Sequence, residues 1–189
     1  QKLDGDARDG LAGCLIGDEG RDAGKNEVVL GNGGAGATER QGGSGKPDFV
    51  RYVGQPDELL KLARDADVIV CALPLTPETT GLFNAEFFAV LKPSAYFINI
   101  ARGASVVTAD LVAALNAGRL AGAGLDVTEP EPLPADHPLW KSPRVLITPH
   151  ISSSSDLPGE ARWTVATENM RRYAAGEPML SVVDLARGY

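Results

Sequence analysis

From Pro56 onward the sequence alternates segments of helical period with short, continuous apolar runs, and no other feature restricts the possible fold as strongly. "PDELLKLARDA" (56–66) sets Leu59, Leu60 and Ala63 on one helical face, with Pro56 suited to a first turn. "DVIVCAL" (67–73) follows and has the composition of a strand buried on both faces. Next come "NAEFFAVLK" (84–92), with Asn84 as a helix N-cap, and the apolar strand "AYFINI" (95–100). "TADLVAALNAG" (108–118) has Thr108 as cap and Gly118 as stop; "AGAGLDV" (121–127) and "RVLIT" (144–148) are further strands, and a long helix is expected from about residue 159 to 175. Strand and helix in turn, with short connections, predict an α/β fold: a doubly wound parallel sheet with right-handed crossovers and helices on both faces. In such sheets ligands sit outside the carboxyl ends of the strands, so chemistry is to be sought there.

The chain has 189 residues, enough for one domain or a little more, and its 43% hydrophobic and 23% charged residues are ordinary for a globular protein. No apolar run approaches the length of a membrane span. A net charge of -7 and a pI near 4.8 argue against nucleic acid as a partner, since that needs a basic patch or stripe. Cys14 and Cys71 supply neither a disulfide framework nor metal-site spacing, so no metal is expected. With no basic and apolar leader at its start, the sequence points to the cytoplasm.

The first fifty residues differ, holding more than half of the 22 glycines and only brief apolar runs such as "CLI" and "VVL", a composition of loops or disorder. Within them "VVLGNGGAGATER" (28–40) contains G-x-G-x-x-G at Gly31, Gly33 and Gly36, directly after an apolar run. In a dinucleotide-binding domain this turn is followed by a helix and a second strand, together needing roughly 20 residues before any loops. Residues 37–55 are too few for both, and "ATERQGGSGKP" breaks where the helix should run. With about one glycine in four, chance alone supplies such a match roughly once in fifty residues. Two readings follow: a remodelled pyrophosphate turn, or residues 1–50 misassigned or read in another frame.

The expected strand ends deliver Thr76 in "PLTPETTGL", Arg102 in "ARGAS", Asp126 and Glu131 in "DVTEPEP", and His150 in "TPHISSSS". Taken singly, an arginine after a strand is usually solvated and a turn histidine usually caps a backbone group. His137, in the proline-rich "LPADHPLW", is assigned to structure or surface. An arginine, a carboxylate and a histidine on one sheet edge are unlike an ordinary core.

Together "LPLTPET", "INIARGASV", "GAGLDVTEPEPLPADHPLW", "LITPHISSSS" and "ENMRRYAAGEPMLSVVDLARGY" resemble, in order, the D-isomer-specific 2-hydroxyacid dehydrogenases, over about residues 57–189. The resemblance implies a Rossmann-like domain with part of a second, substrate domain, and hydride transfer between NAD or NADP and a small 2-keto or 2-hydroxy acid, of the hydroxypyruvate and glyoxylate reductase kind. It implies that Arg102 holds the substrate carboxylate, a task suited to the bidentate guanidinium fork. It makes His150 the general acid and Glu131 the carboxylate that favours its charged form. Glu131 stands five residues after Asp126, and Glu129 is the wrong offset. Asp126 would lie near the nicotinamide carboxamide, with Pro74, Leu75, Thr76 and Ala101 lining the cofactor, Gly31, Gly33 and Gly36 at its pyrophosphate, and a homodimer as the assembly.

The expected organisation is an atypical glycine-rich segment (1–50), a nucleotide-binding domain (51–150), and a helix and tail (151–189) returning toward a substrate lobe. Since that lobe's usual leading segment has no counterpart here, the isolated chain is expected to be weakly active or inactive. Two alternatives stand beside the enzyme: a nucleotide-sensing, corepressor-like binding module, and a truncated product without function of its own.

Overall fold

A computed structural model of the chain describes residues 12–17, 26–31, 50–54, 56–154 and 158–182. Seven strands form one sheet: β1 (Ala12–Gly17), β2 (Asn26–Gly31), β3 (Val50–Gly54), β4 (Val68–Ala72), β5 (Tyr96–Asn99), β6 (Gly122–Leu125) and β7 (Val145–Ile147). Their order is β3-β1-β2-β4-β5-β6-β7. Neighbours from β2 through β7 in that order run parallel, whereas β1 is antiparallel to both β2 and β3. The helices are α1 (Leu59–Asp65), entered by a 3-10 turn at Pro56–Glu58, α2 (Ala85–Ala89), α3 (Thr108–Asn116) and α4 (Pro158–Ala175).

The α/β, Rossmann-like reading holds, with two differences. The glycine-rich first fifty residues read as loops, yet β1 and β2 lie there. Six-residue strands bounded by glycine show no period to a sequence reading, and their partners, not their own pattern, define them. The second difference is coverage. Register places Ile69, Phe97, Ala123 and Val145 in one row and Cys71, Asn99, Leu125 and Ile147 in the next, on the same face. That face packs with Leu62, Ala63, Phe87, Phe88, Leu111, Ala114 and Leu115 of α1, α2 and α3 in a single core. The opposite rows are Val68, Tyr96 and Gly122, then Val70, Ile98, Gly124 and Leu146. There Val68, Val70 and Ile98 are only half-buried, Tyr96 is 52% exposed and Leu146 69%. A strand buried on both faces was expected at 67–73; in the described residues α1, α2 and α3 all serve one face.

Four phenylalanines centre the core. Phe83 meets Phe87 edge-on with centroids 4.9 Å apart, and Phe97 lies 5.0 Å from Phe83 and 5.5 Å from Phe88, an arrangement aromatic quadrupoles favour. Asn84 caps α2 as read, its side-chain oxygen accepting from the Phe87 amide at 3.1 Å. Asp110 of α3 accepts the Ala85 amide at 2.8 Å and so ties the two helices. Thr108 does not cap α3. The N-cap position falls to Val107 with no side-chain bond, because the Thr108 hydroxyl is spent on the carbonyl of Glu129 at 2.9 Å. Gly118 stops α3 as expected: at φ +67° its amide reaches Leu115 and the Arg119 amide reaches Ala114, a Schellman closure.

The chain divides into two compact units, residues 1–149 and 150–189. In the second, Glu168 pairs with Arg171 at 3.0 Å and Arg172 at 2.8 Å. Asn169 clasps the tail, donating to the Leu180 carbonyl at 3.0 Å and accepting its amide at 2.7 Å. Trp163, Met170 and Tyr173 are exposed on α4. No helix among the described residues is long and apolar enough to cross a membrane.

Candidate active site

Parallel strands place their carboxyl ends along one edge, and within the first unit four of these ends carry predicted site residues. Gly31 ends β2 opposite Ala72 of β4. Gly33 and Gly36 lie outside the described residues.

After β4 the chain passes through Pro74, Leu75 and Thr76, held from beneath by a residue the sequence reading missed. The Thr79 hydroxyl donates to the Pro74 carbonyl at 2.7 Å and accepts the Thr76 amide at 2.7 Å. At 2% exposure it is a buried polar group whose bonds all serve this loop. Leu75 is exposed and Thr76 half-buried. The Thr76 side chain bonds Glu78 and, with the backbone amide of Glu78, holds that exposed carboxyl below its usual range.

After β5 the chain turns through Ile100 and Ala101 to Arg102. Ala101 is buried, Arg102 is exposed, and one guanidinium N–H of Arg102 donates to the Ala101 carbonyl at 2.7 Å. Asn99, the last residue of β5, accepts the Ala101 amide at 3.0 Å and donates to the Arg102 carbonyl at 2.9 Å. The β4 and β5 loops are joined in turn: the Gly81 amide donates to Ala104, Phe83 to Ser105 and Val107 to Phe83, with Phe83 and Val106 bridged in parallel.

After β6 comes Asp126, 5% exposed, whose amide donates to the Asn99 carbonyl at 2.9 Å. Its carboxylate accepts a 2.6 Å bond from the hydroxyl of Thr148, just past β7. Glu131 is exposed in the following loop, between Pro130 and Pro132.

The Arg102 turn lies directly on this loop. A Cβ on Gly103 would come within 1.9 Å of the Thr128 carbonyl oxygen and 2.7 Å of the Glu129 nitrogen. Only glycine permits such an approach. Thr108, by its bond to Glu129, fastens the same two segments. Sequence reading gave no role to Gly103, though "ARG" contains it. His137, assigned to structure or surface, accepts the Leu139 amide through Nδ1 at 3.3 Å.

The structure thus brings Thr76, Ala101, Arg102 and Asp126 to adjoining strand ends, with Glu131 on the loop packed against the Arg102 turn. His150 is the first residue of the second unit and takes a left-handed backbone, φ 54°. The edge offers hydroxyls, a buried carboxylate with a fixed donor, backbone amides and an exposed guanidinium. That donor set fits a polar, phosphate-bearing cofactor and an anionic substrate better than a metal ion. Among the described residues no three His, Cys, Asp or Glu side chains cluster to hold one.

Residues 37–152 match the family described as D-isomer specific 2-hydroxyacid dehydrogenase, NAD binding domain. The chain is 44% identical over 133 residues to a glyoxylate/hydroxypyruvate reductase A of Photorhabdus laumondii, covering 70% of this chain and 42% of that protein. A D-isomer specific 2-hydroxyacid dehydrogenase from Xanthobacter autotrophicus Py2, solved with NADPH and MES, is 48% identical with a TM-score of 0.65, over 71% of this chain and 43% of that one. An NADPH-dependent glyoxylate/hydroxypyruvate reductase from Sinorhizobium meliloti, solved with NADP and sulfate, is 39% identical with a TM-score of 0.65, over 72% and 44%. The chain therefore spans less than half the length of these relatives.

Proposed function

Because the chain belongs to the D-isomer specific 2-hydroxyacid dehydrogenases, through their NAD binding domain, we propose that the protein of which it is part reduces a small 2-keto acid to the D-2-hydroxy acid with NADH or NADPH. One observation carries the reading: Thr76, Ala101, Arg102 and Asp126 stand at successive carboxyl ends of β4, β5 and β6, each in a stretch that resembles the family.

Arg102 grips the substrate carboxylate with the fork of its guanidinium, and the buried turn beneath fixes where that carboxylate rests. Asp126, oriented by Thr148, would hold the carboxamide of the nicotinamide and so fix the orientation of the ring. Pro74, Leu75, Thr76 and Ala101 would line the cofactor, and the family resemblance assigns Gly31, Gly33 and Gly36 to its pyrophosphate. When bound there, the nicotinamide would supply the hydride that C2 of the substrate takes up. His150 supplies the proton to the carbonyl oxygen, so that the carbonyl becomes an alcohol with charge balanced, and Glu131 is the carboxylate that the family resemblance assigns to that acid. Glyoxylate and hydroxypyruvate are the substrates we assign, on the relatives' names; the cytoplasm and a homodimer are the setting we assign on family resemblance.

The test is oxidation of NADH and NADPH by the full-length protein with a panel of 2-keto acids. Arg102→Lys should raise KM and lower kcat, since a point charge cannot replace the fork. His150→Ala should lower kcat about a hundredfold or more with cofactor affinity nearly unchanged. Near-normal turnover by either variant would remove that residue's role. Nucleotide binding without turnover on any keto acid would favour the corepressor-like module.

A further inference from the structure

Asn99 is the one polar residue in the strand "YFIN", is wholly buried, and directs both ends of its carboxamide into the turn that follows. We infer that Asn99 is a positioning residue, which sets the height and direction of Arg102 and thereby governs affinity for the substrate carboxylate. The inference rests on the function proposed for Arg102 and extends it to a side chain that touches neither substrate nor cofactor.

A buried amide is retained only if its hydrogen bonds are made, and here they are divided. The side-chain oxygen takes the Ala101 amide, which folds the chain sharply after β5. The side-chain nitrogen takes the Arg102 carbonyl, which stops the turn from swinging away from the sheet. Arg102 closes the loop by donating to the Ala101 carbonyl. Three hydrogen bonds within four residues therefore replace freedom that an exposed arginine would ordinarily keep. The Asn99 backbone carbonyl also accepts the Asp126 amide, so the same residue indexes the Arg102 turn against the strand end that bears Asp126.

The donor to Arg102 is what distinguishes this role from mere turn formation, and it can be removed alone. Asn99→Ser keeps a short acceptor for the Ala101 amide, as serine turns do, and loses the link to Arg102. Asn99→Asp keeps the acceptor and places a carboxylate against the Arg102 carbonyl. A buried carboxyl titrates upward, and its protonated form regains an O–H donor.

In the full-length protein, Asn99→Ser should raise KM for the 2-keto acid, and Kd for the unreactive mimic oxalate, about tenfold. Cofactor Kd, read by nucleotide fluorescence, should stay within about twofold of wild type. Asn99→Asp should show the same loss at high pH and recover toward wild type as pH falls, each value taken relative to wild type at the same pH. Asn99→Ser should show no such recovery. A purely structural Asn99 would lower the melting temperature with KM and oxalate binding unchanged, and that result overturns the inference; so does an Asn99→Asp loss independent of pH. If Asn99→Asp does not fold, Asn99→Ser alone decides by its oxalate affinity. Arg102→Lys measured alongside separates the two levels. Normal oxalate binding in Arg102→Lys would overturn the role of Arg102 itself, whereas a defect there with normal binding in Asn99→Ser would overturn only the role of Asn99.

Discussion

A methyl group at position 103 would overlap the Thr128 carbonyl, and that contact is backbone against backbone, so no side chain can swing aside to admit it. Gly103→Ala must therefore separate the turn bearing Arg102 from the loop bearing Glu131. Since misplacement by about 1 Å can cost a hundredfold, kcat/KM of the full-length protein should fall by about that factor while the fold survives. Near-wild-type kinetics would show that the contact does not position these groups. Cys71 gives a second measurement at this scale. Burial pushes its thiol from the usual 9.0 up to about 11, a hydrogen bond from the Leu73 backbone opposing the shift only in part. The folded pKa is raised, so the stability it contributes is complete below pH 9 and is lost as pH rises toward 11. The alkaline fall in melting temperature across that window should be steeper in wild type than in Cys71→Ala. Thiol reagents at neutral pH should modify Cys71 only after unfolding, and rapid labelling at Cys71 in the native protein, located by peptide mapping apart from Cys14, would contradict its burial.

The helices α1, α2 and α3 are short, and their ends matter in proportion. Gly118→Ala places a Cβ at φ +67°, and should destabilise by about 1 kcal/mol; Asn84→Ala, which removes the α2 cap, should cost a similar amount in chemical denaturation. An unchanged midpoint in either would mean the cap is made by other means. These two signals were legible because glycine and asparagine act locally. Thr108 was misread for the converse reason: its hydroxyl had two suitors, the helix it begins and the Glu129 carbonyl, and the second becomes visible only after the chain has folded back. Thr79 and Gly103 were invisible likewise, since one is defined by a loop it clasps and the other by a backbone that arrives from twenty-five residues downstream (103 to 128). Asn99 did leave a trace, a polar residue inside an apolar strand, which a buried-polar argument could have raised. The strand ends were readable as an edge; the hydrogen bonds that aim each side chain were not.

For the molecule as a whole, the two faces of the sheet should respond unequally to mutation in the 189-residue chain. Leu146→Lys on the half-open face should change stability by no more than about 0.5 kcal/mol, whereas Leu111→Ala in the core should cost about 2–5 kcal/mol. Equal losses would mean that the open face is filled in solution. The alternation of helical and apolar segments announced a parallel sheet, and the sheet is there. What sequence could not announce was that three helices would share one side, because burial of a face depends on which crossover returns where, and not on the strands' own composition. The contact between Gly103 and Thr128 bears finally on how this part of the chain can diverge. With the Arg102 turn and the Glu131 loop pressed together at bare backbone, neither can be reshaped by small steps without displacing the other. Change in this part of the chain therefore has to leave the seam untouched or move both of its sides at once, so the two loops evolve as a single piece.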